Sequence, residues 1–243
     1  MRLELQDVTA GYGGVTVLRD VDLVVPGGNV VALLGANGAG KTTTLRVASQ
    51  LLRPRAGHLV LDGVDVTNNT SVDLAARGVC HITEGRCVFP GLTVRENLRL
   101  FAQPGDEAAG TERAVQAFPK LGQRLSQLAG TLSGGEQQML AVSRAYARRA
   151  SVVLLDEMSM GLAPIIVDEI IDFLRVLVAQ GVSLLLVEQY VAKALELADK
   201  VYVMDRGRIV FAGEPGEVSD ATLLSKYLGA EAVASGEEVA RVR

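Results

Sequence analysis

The sequence predicts an α/β fold in which a mostly parallel sheet is buried by helices on both faces. Three observations carry this. The short runs Asn29–Leu34, Val152–Leu155 and Val182–Val187 are strand-sized and almost continuously aliphatic, as strands covered on both sides must be. Segments of helical period lie between them. Hydrophobic residues make up 49 % of the chain and aromatics only 4 %, with no Trp, a composition suited to a large aliphatic core.

The elements follow in order. Leu3–Thr9 alternates like a half-buried strand. Val15–Val25 reads as strand broken at Arg19-Asp20 and closed by Pro26-Gly27-Gly28. Thr42–Leu52 reads as a helix stopped at Arg53-Pro54. Leu59–Leu61 and Val64–Val66 flank the turn Asp62-Gly63, and Val79–Thr83 is a further short strand. From about Val94 to Leu128 the pattern is helical and polar, an insert on the α/β core. Glu136–Arg149 reads as helix. Pro164–Gln180 is an amphipathic helix started by Pro164 and stopped by Gly181. Lys200–Met204 and Arg208–Phe211 form a hairpin about Asp205-Arg206-Gly207. The expected division is one domain over 1–229, with the helical insert at about 94–150, and a flexible tail over 230–243.

The 243 residues carry a formal net charge of −4, which argues against nucleic acid as the main partner. No apolar run approaches a membrane span, and Met1-Arg2-Leu3-Glu4 is acidic too early for a signal peptide. A cytoplasmic chain is expected, with Cys80 and Cys87 as reduced thiols, one buried and one in a loop. The sequon Asn68-Asn69-Thr70 has no use there.

Gly35-Ala36-Asn37-Gly38-Ala39-Gly40-Lys41-Thr42 meets every position of the phosphate-cradling pattern G-x-x-x-x-G-K-[ST], between a strand and a helix. Glycines let successive N–H groups converge on one anion, and the helix N-terminus adds its positive end. Lys41 supplies a cation and Thr42 a hydroxyl for Mg²⁺. Leu132-Ser133-Gly134-Gly135-Glu136-Gln137 opens a second helix with free N–H donors, a second phosphate-binding surface. Its bland reading is an ordinary Ser N-cap. Asp156-Glu157 ends an aliphatic strand. Because strand neighbours face opposite ways, Asp156 is expected on the metal side and Glu157 as general base toward water.

Together these motifs resemble the ATP-binding subunit of ABC transporters over essentially the whole chain. Gly35–Thr42 resembles Walker A, Leu132–Gln137 the ABC signature and Leu155-Asp156-Glu157 the end of Walker B. The resemblance implies a P-loop NTPase core with an antiparallel β subdomain and a helical signature subdomain. It implies ATP and Mg²⁺ as ligands. The nucleotide set is Tyr12 (adenine stacking), Gly35, Asn37, Gly38, Ala39, Gly40, Lys41, Thr42, Thr43, Ser133, Gly134, Gly135 and Glu136. Thr42, Glu84 and Asp156 would face the metal. Glu157, Lys41 and Gln189 would act in hydrolysis. Glu84 stands where most of the family has Gln, and Gln189 where most has the switch His; Gln189 carries no titratable proton. Ser159–Ala163 resembles the D-loop.

Glu84–Leu98, Leu132–Ala141, Ser159–Val167 and Val187–Gln189 resemble the branched-chain amino acid importer branch. Met158 departs from the usual Pro and is expected to loosen its turn. Tyr190, where the branch usually has Asn, is unexplained. The resemblance implies a head-to-tail pair of ATPase chains, a homodimer or a related heterodimer, on the cytoplasmic face of the membrane. Integral permease subunits would dock near Val88, Phe89 and Pro90, and an extracytoplasmic solute-binding protein would act indirectly. The alternatives are transport of urea, amides or an envelope lipid, and a soluble ABC ATPase of translation or DNA repair.

Overall fold

The computed structural model describes residues 1–85, 87–159, 161–188 and 191–218. The chain runs through β1 (Leu3–Tyr12), β2 (Val15–Val25), β3 (Val30–Leu34), α1 (Lys41–Ala48), β4 (Ala56–Leu61), β5 (Val64–Asp65), α2 (Ser71–Ala76) and β6 (Val79–Ile82). Helices α3 (Val94–Phe101), α4 (Glu107–Ala117), α5 (Pro119–Gly122) and α6 (Gly134–Arg148) follow. Then come β7 (Val152–Asp156), α7 (Pro164–Ala179), β8 (Ser183–Val187), α8 (Val191–Leu197), β9 (Lys200–Asp205), β10 (Arg208–Gly213) and α9 (Pro215–Val218).

The strands form two sheets. One is six-stranded in the order β10-β9-β3-β8-β7-β6, parallel except for the edge strand β10. The other is a four-stranded antiparallel sheet, β2-β1-β4-β5. Every residue of β3, β7 and β8 is buried. Period-two alternation splits each strand between two cores. Val30, Ala32 and Leu34 join the helices α3, α6 and α7, whereas Val31 and Leu33 join α1 and the inner face of the antiparallel sheet. Helix α1 is thus enclosed by both sheets. In the other core the Phe118 ring lies edge-on to Tyr146, with centroids 5.9 Å apart, and against Phe173 at 3.8 Å.

Several expectations need correction. The break read at Arg19-Asp20 is a bulge in a continuous strand. Val8 pairs with Val21 and Ala10 with Leu18, leaving Arg19 and Asp20 opposite Thr9. Asp20 adopts φ 49° there, and the Thr9 hydroxyl donates to its carboxylate at 3.3 Å. The helix after the glycine loop begins at Lys41 and ends at Ala48, short of Leu52. Gln50 turns left-handed at φ 56°, which stops it before Pro54 is reached. Helix α6 begins at Gly134 rather than Glu136. Helix α2 had no prediction, although Thr70 and Asp73 form a capping box at its start, a signal present in the sequence as T-x-x-D. Cys80 is buried and Cys87 half-buried, both free thiols. Among the described residues no helix is long and apolar enough to cross a membrane.

His81 on β6 sits with its Nδ1 2.9 Å from the Ser49 hydroxyl at the end of α1. Burial, then the cations Arg144 and Arg46, push its imidazole from the ordinary 6.5 down to about 4. The folded chain keeps this ring neutral where the unfolded chain protonates it. Stability from this group is therefore full above pH 6.5 and is lost as pH falls toward 4, by up to about 3 kcal/mol. Denaturant titrations at pH 7.5 and 4.5 are expected to show a smaller acid loss in His81→Gln than in the parent chain. Equal losses would rule His81 out as the source.

Candidate functional site

A parallel sheet covered on both faces leaves its strand ends as the place for polar chemistry. Here the loop 35–40 leaves β3, Thr83 and Glu84 follow β6, Asp156 ends β7 and Glu188 follows β8. In the glycine loop Asn37 and Gly38 are exposed, whereas Ala39, Gly40, Lys41 and Thr43 are buried. Gly35 begins the loop at the end of β3. Gly40 caps α1 at φ 117°, and a side chain there would meet Leu18 at 2.9 Å and the Met204 sulfur at 3.0 Å. The loop is held from below by the β9–β10 turn. The Gly207 N–H donates to the Ala39 carbonyl and the Arg19 N–H donates to the Gly207 carbonyl, both at 2.8 Å. A Cβ on Gly207 would lie 1.7 Å from the Val17 carbonyl oxygen. Sequence reasoning saw Gly207 only as a turn.

Lys41 Nζ folds over its own loop and donates to the carbonyls of Gly35, at 2.8 Å, and Ala36, at 3.2 Å. Burial lowers its pKa, opposed by Glu157 and Asp156. Thr42 Oγ1 donates to Asp156 Oδ1 at 3.2 Å, while the buried Asp156 Oδ2 has no hydrogen-bond partner among the described residues. Burial raises the Asp156 pKa, Thr42 opposes it, and Glu157 and Glu84 raise it further. A hydroxyl beside an orphaned buried carboxylate oxygen, ringed by further acids, is a donor set that fits a hard divalent cation.

Tyr12, Thr42, Glu84 and Asp156 line one open cleft of about 370 Å³, together with Arg46, Leu51 and Thr83, which the sequence analysis did not single out. Arg46 donates to the Tyr12 hydroxyl at 3.1 Å, and its guanidinium carbon lies 5.9 Å from the ring centre. Tyr12 presents its ring to solvent at 42 % exposure.

Residues 133–136 do not line this cleft. Ser133 is exposed and caps α6, and Glu136 returns the bond in a reciprocal capping box. The expectation of free donors at Ser133, Gly134 and Gly135 is corrected for Ser133, whose N–H is bonded. Glu136 Oε2 accepts from the Ser133 N–H at 2.9 Å and its hydroxyl at 2.8 Å, and the Glu136 N–H donates to Ser133 Oγ at 3.3 Å. Burial works against the Glu136 carboxylate, yet the Ser133 bonds and Arg124, 2.7 Å away, hold its pKa below the ordinary range. Gly135 is buried, and a side chain there would meet Ile166 at 2.8 Å. Gly134 is half-buried at the first turn.

Strand alternation does not orient the two Walker B acids. Strand β7 ends at Asp156, and Glu157 leaves it with a left-handed φ of 46°. Met158 leaves its turn a main-chain donor that proline would lack. Its N–H donates to Glu188 Oε1 at 3.1 Å, and the Ser159 hydroxyl donates to Glu188 Oε2. Gln189 and Tyr190 lie outside the described residues. The segment 89–93 is pinned by the buried Asn97, which accepts from the Phe89 N–H at 2.7 Å and donates to the Phe89 and Thr93 carbonyls at 3.0 Å. Phe89 itself is 51 % exposed.

A phosphate-cradling loop on a doubly covered sheet, with an antiparallel sheet on one side and a helical layer on the other, defines an ATP-binding cassette. The family model "ABC transporter" matches residues 18–160. The chain is 40 % identical to the high-affinity branched-chain amino acid transport ATP-binding protein BraG of Pseudomonas aeruginosa, over 86 % of this chain and 91 % of that one. It is 36 % identical to the probable branched-chain amino acid transport ATP-binding protein LivF of Archaeoglobus fulgidus, over 87 % and 91 %. It superposes with a TM-score of 0.82 and 26 % identity on the ADP conformation of MJ1267, an ATP-binding cassette of an ABC transporter, covering 94 % of this chain and 99 % of that one. The chain belongs to the ABC transporter family and is one of its ATP-hydrolysing subunits.

Gly207→Ala is expected to destabilise the chain by about 2 kcal/mol or more and to weaken ATP binding from beneath the loop. Denaturant melts with nucleotide titration check this. Parental values for both would show that the turn does not support the cradle.

Proposed function

We propose that this chain energises a branched-chain amino acid importer, as a single domain over 1–229 with its helical insert at about 94–150. It works on the cytoplasmic face of the membrane against integral permease subunits, with an extracytoplasmic solute-binding protein acting indirectly. The similarity to BraG and LivF over most of both chains supports the cargo. The shared-site mechanism is supported by where the two glycine-rich segments lie, 35–40 at the start of α1 and 133–135 at the start of α6. The cleft at Tyr12, Thr42, Glu84 and Asp156 contains no residue of 133–136.

One chain therefore supplies half a site. In-line attack on a γ-phosphate needs hydrogen-bond donors around the transferring group. Walker A amides and Lys41 supply one side. Ser133, Gly134, Gly135 and Glu136 of a second ATPase chain, identical or related, supply the other. For Ser133 to turn toward a phosphate, Glu136 must yield part of its capping box, so the signature is self-satisfied until nucleotide and partner meet. Tyr12 stacks on adenine, braced by Arg46. Mg²⁺ would be held by Thr42 and Asp156, with Glu84 nearby, and would neutralise charge on the phosphates. Glu157 takes the proton of the attacking water, and Gln189 hydrogen-bonds the γ-phosphate. Closure on ATP and reopening after hydrolysis pass to the permease through Val88, Phe89 and Pro90.

ATPase activity per chain is expected to climb with protein concentration until pairing saturates. A flat profile across the monomer–dimer range would contradict the shared site. Glu157→Gln is expected to keep ATP binding and to lose about a hundredfold in turnover while accumulating closed dimer. Near-normal turnover would take Glu157 out of the general-base role.

A further inference from the structure

The β7–β8 ladder reaches its last paired residues at Asp156 and Val187. Beyond it, three successive residues of one strand end are tied to two of the other. The Glu157 N–H donates to the Val187 carbonyl at 2.9 Å. The Met158 N–H donates to Glu188 Oε1 at 3.1 Å, and the Ser159 hydroxyl donates to Glu188 Oε2. These groups are enclosed, with Met158 3 %, Ser159 4 % and Glu188 7 % exposed. Burying carboxylate oxygens is costly unless donors meet them, and here each oxygen accepts from the same short segment.

The same segment carries, at Glu157, a φ of 46°, which a side-chain-bearing residue rarely adopts. Such a conformation persists only when its surroundings over-determine it. Without ties on its C-terminal side, Glu157 would relax toward ordinary backbone and swing its carboxylate out of line.

We propose that Glu188 is a positioning residue for hydrolysis, a latch from the end of β8 that grips Met158 and Ser159 and so fixes the direction in which Glu157 presents its carboxylate. The proposal rests on the reading of Glu157 as general base. Met158 takes part through its N–H, which proline would lack. The latch also joins the segment that leads into Gln189 to the start of Ser159–Ala163, so a shift at either is felt by Glu157.

The test uses the full-length chain at a concentration that saturates its specific activity. Glu188→Ala is expected to lower kcat about ten- to hundredfold, with ATP affinity within about twofold, because a displaced base costs turnover rather than binding. In that variant, hydrogen exchange at the Met158 amide is expected to quicken by about tenfold or more. Glu188→Gln is expected to restore both, since its carbonyl can accept from Met158 and its amide can donate to Ser159 Oγ. Met158→Pro is expected to lower kcat on its own and to add little to Glu188→Ala, as a shared interaction requires. Parental kcat in Glu188→Ala, or a lowered kcat with unchanged Met158 exchange, would overturn the proposal. Should Glu188→Ala not fold, Ser159→Ala carries the test: it removes one of the two bonds, and a parental kcat there would overturn the latch. Normal turnover by Glu157→Gln would instead defeat the base assignment and leave the exchange result standing.

Discussion

The six-stranded sheet is covered on both faces, and the placing of the glycine loop, Glu84, Asp156 and Glu188 follows from that. Val31 and Leu33 face one core while Val30, Ala32 and Leu34 face the other, so no side chain within β3 is available for chemistry. The same holds along β8 and along β7 as far as Leu155. Polar residues are admitted where the strands run out, and parallel pairing brings those ends to one edge. The glycine loop, Glu84, Asp156 and Glu188 come from separate parts of the chain and meet there because their strands are neighbours in the sheet.

The edge is stiffened by backbone hydrogen bonds more than by side chains. Gly207 bonds to Ala39 on one side and Arg19 on the other, linking the parallel sheet, the glycine loop and the antiparallel sheet through one residue. Hydrophobic burial keeps the sheets together, and these directional contacts set the loop's shape. Beyond the end of β8, Glu188 accepts from the Met158 N–H and the Ser159 hydroxyl in the turn after β7. Both supports include a bond to a main-chain group, and neither Gly207 nor Glu188 lines the cleft.

The capping box at Ser133 shows how the start of α6 satisfies its own polar groups. A bare helix N-terminus carries unsatisfied donors. Glu136 satisfies Ser133, and Arg124 satisfies Glu136 in turn. The helix start is thus held by polar contacts among Ser133, Glu136 and Arg124, whereas Gly135 is packed against Ile166.

Much of this was legible in the sequence, because local patterns encode local structure. Unbroken aliphatic runs marked β3, β7 and β8, Pro164 and Gly181 bracketed α7, and Gly35–Thr42 announced its loop by its spacing. The motifs also named the chemistry, since few residue types can cradle a phosphate or hold its cation. What the sequence could not contain was direction. It placed Asp156 and Glu157 on opposite faces of a strand, but Glu157 had already left the strand. It read Met158 only as the absence of a proline, and the bond from the Met158 N–H to a carboxylate thirty positions away in the chain could not be read from it. Arg46 and Gly207 acquire their roles only from neighbours remote in sequence. A residue's type and local period are properties of the chain, but the partner of a buried N–H or carboxylate is decided by which strands lie side by side, and that is settled when the two cores close.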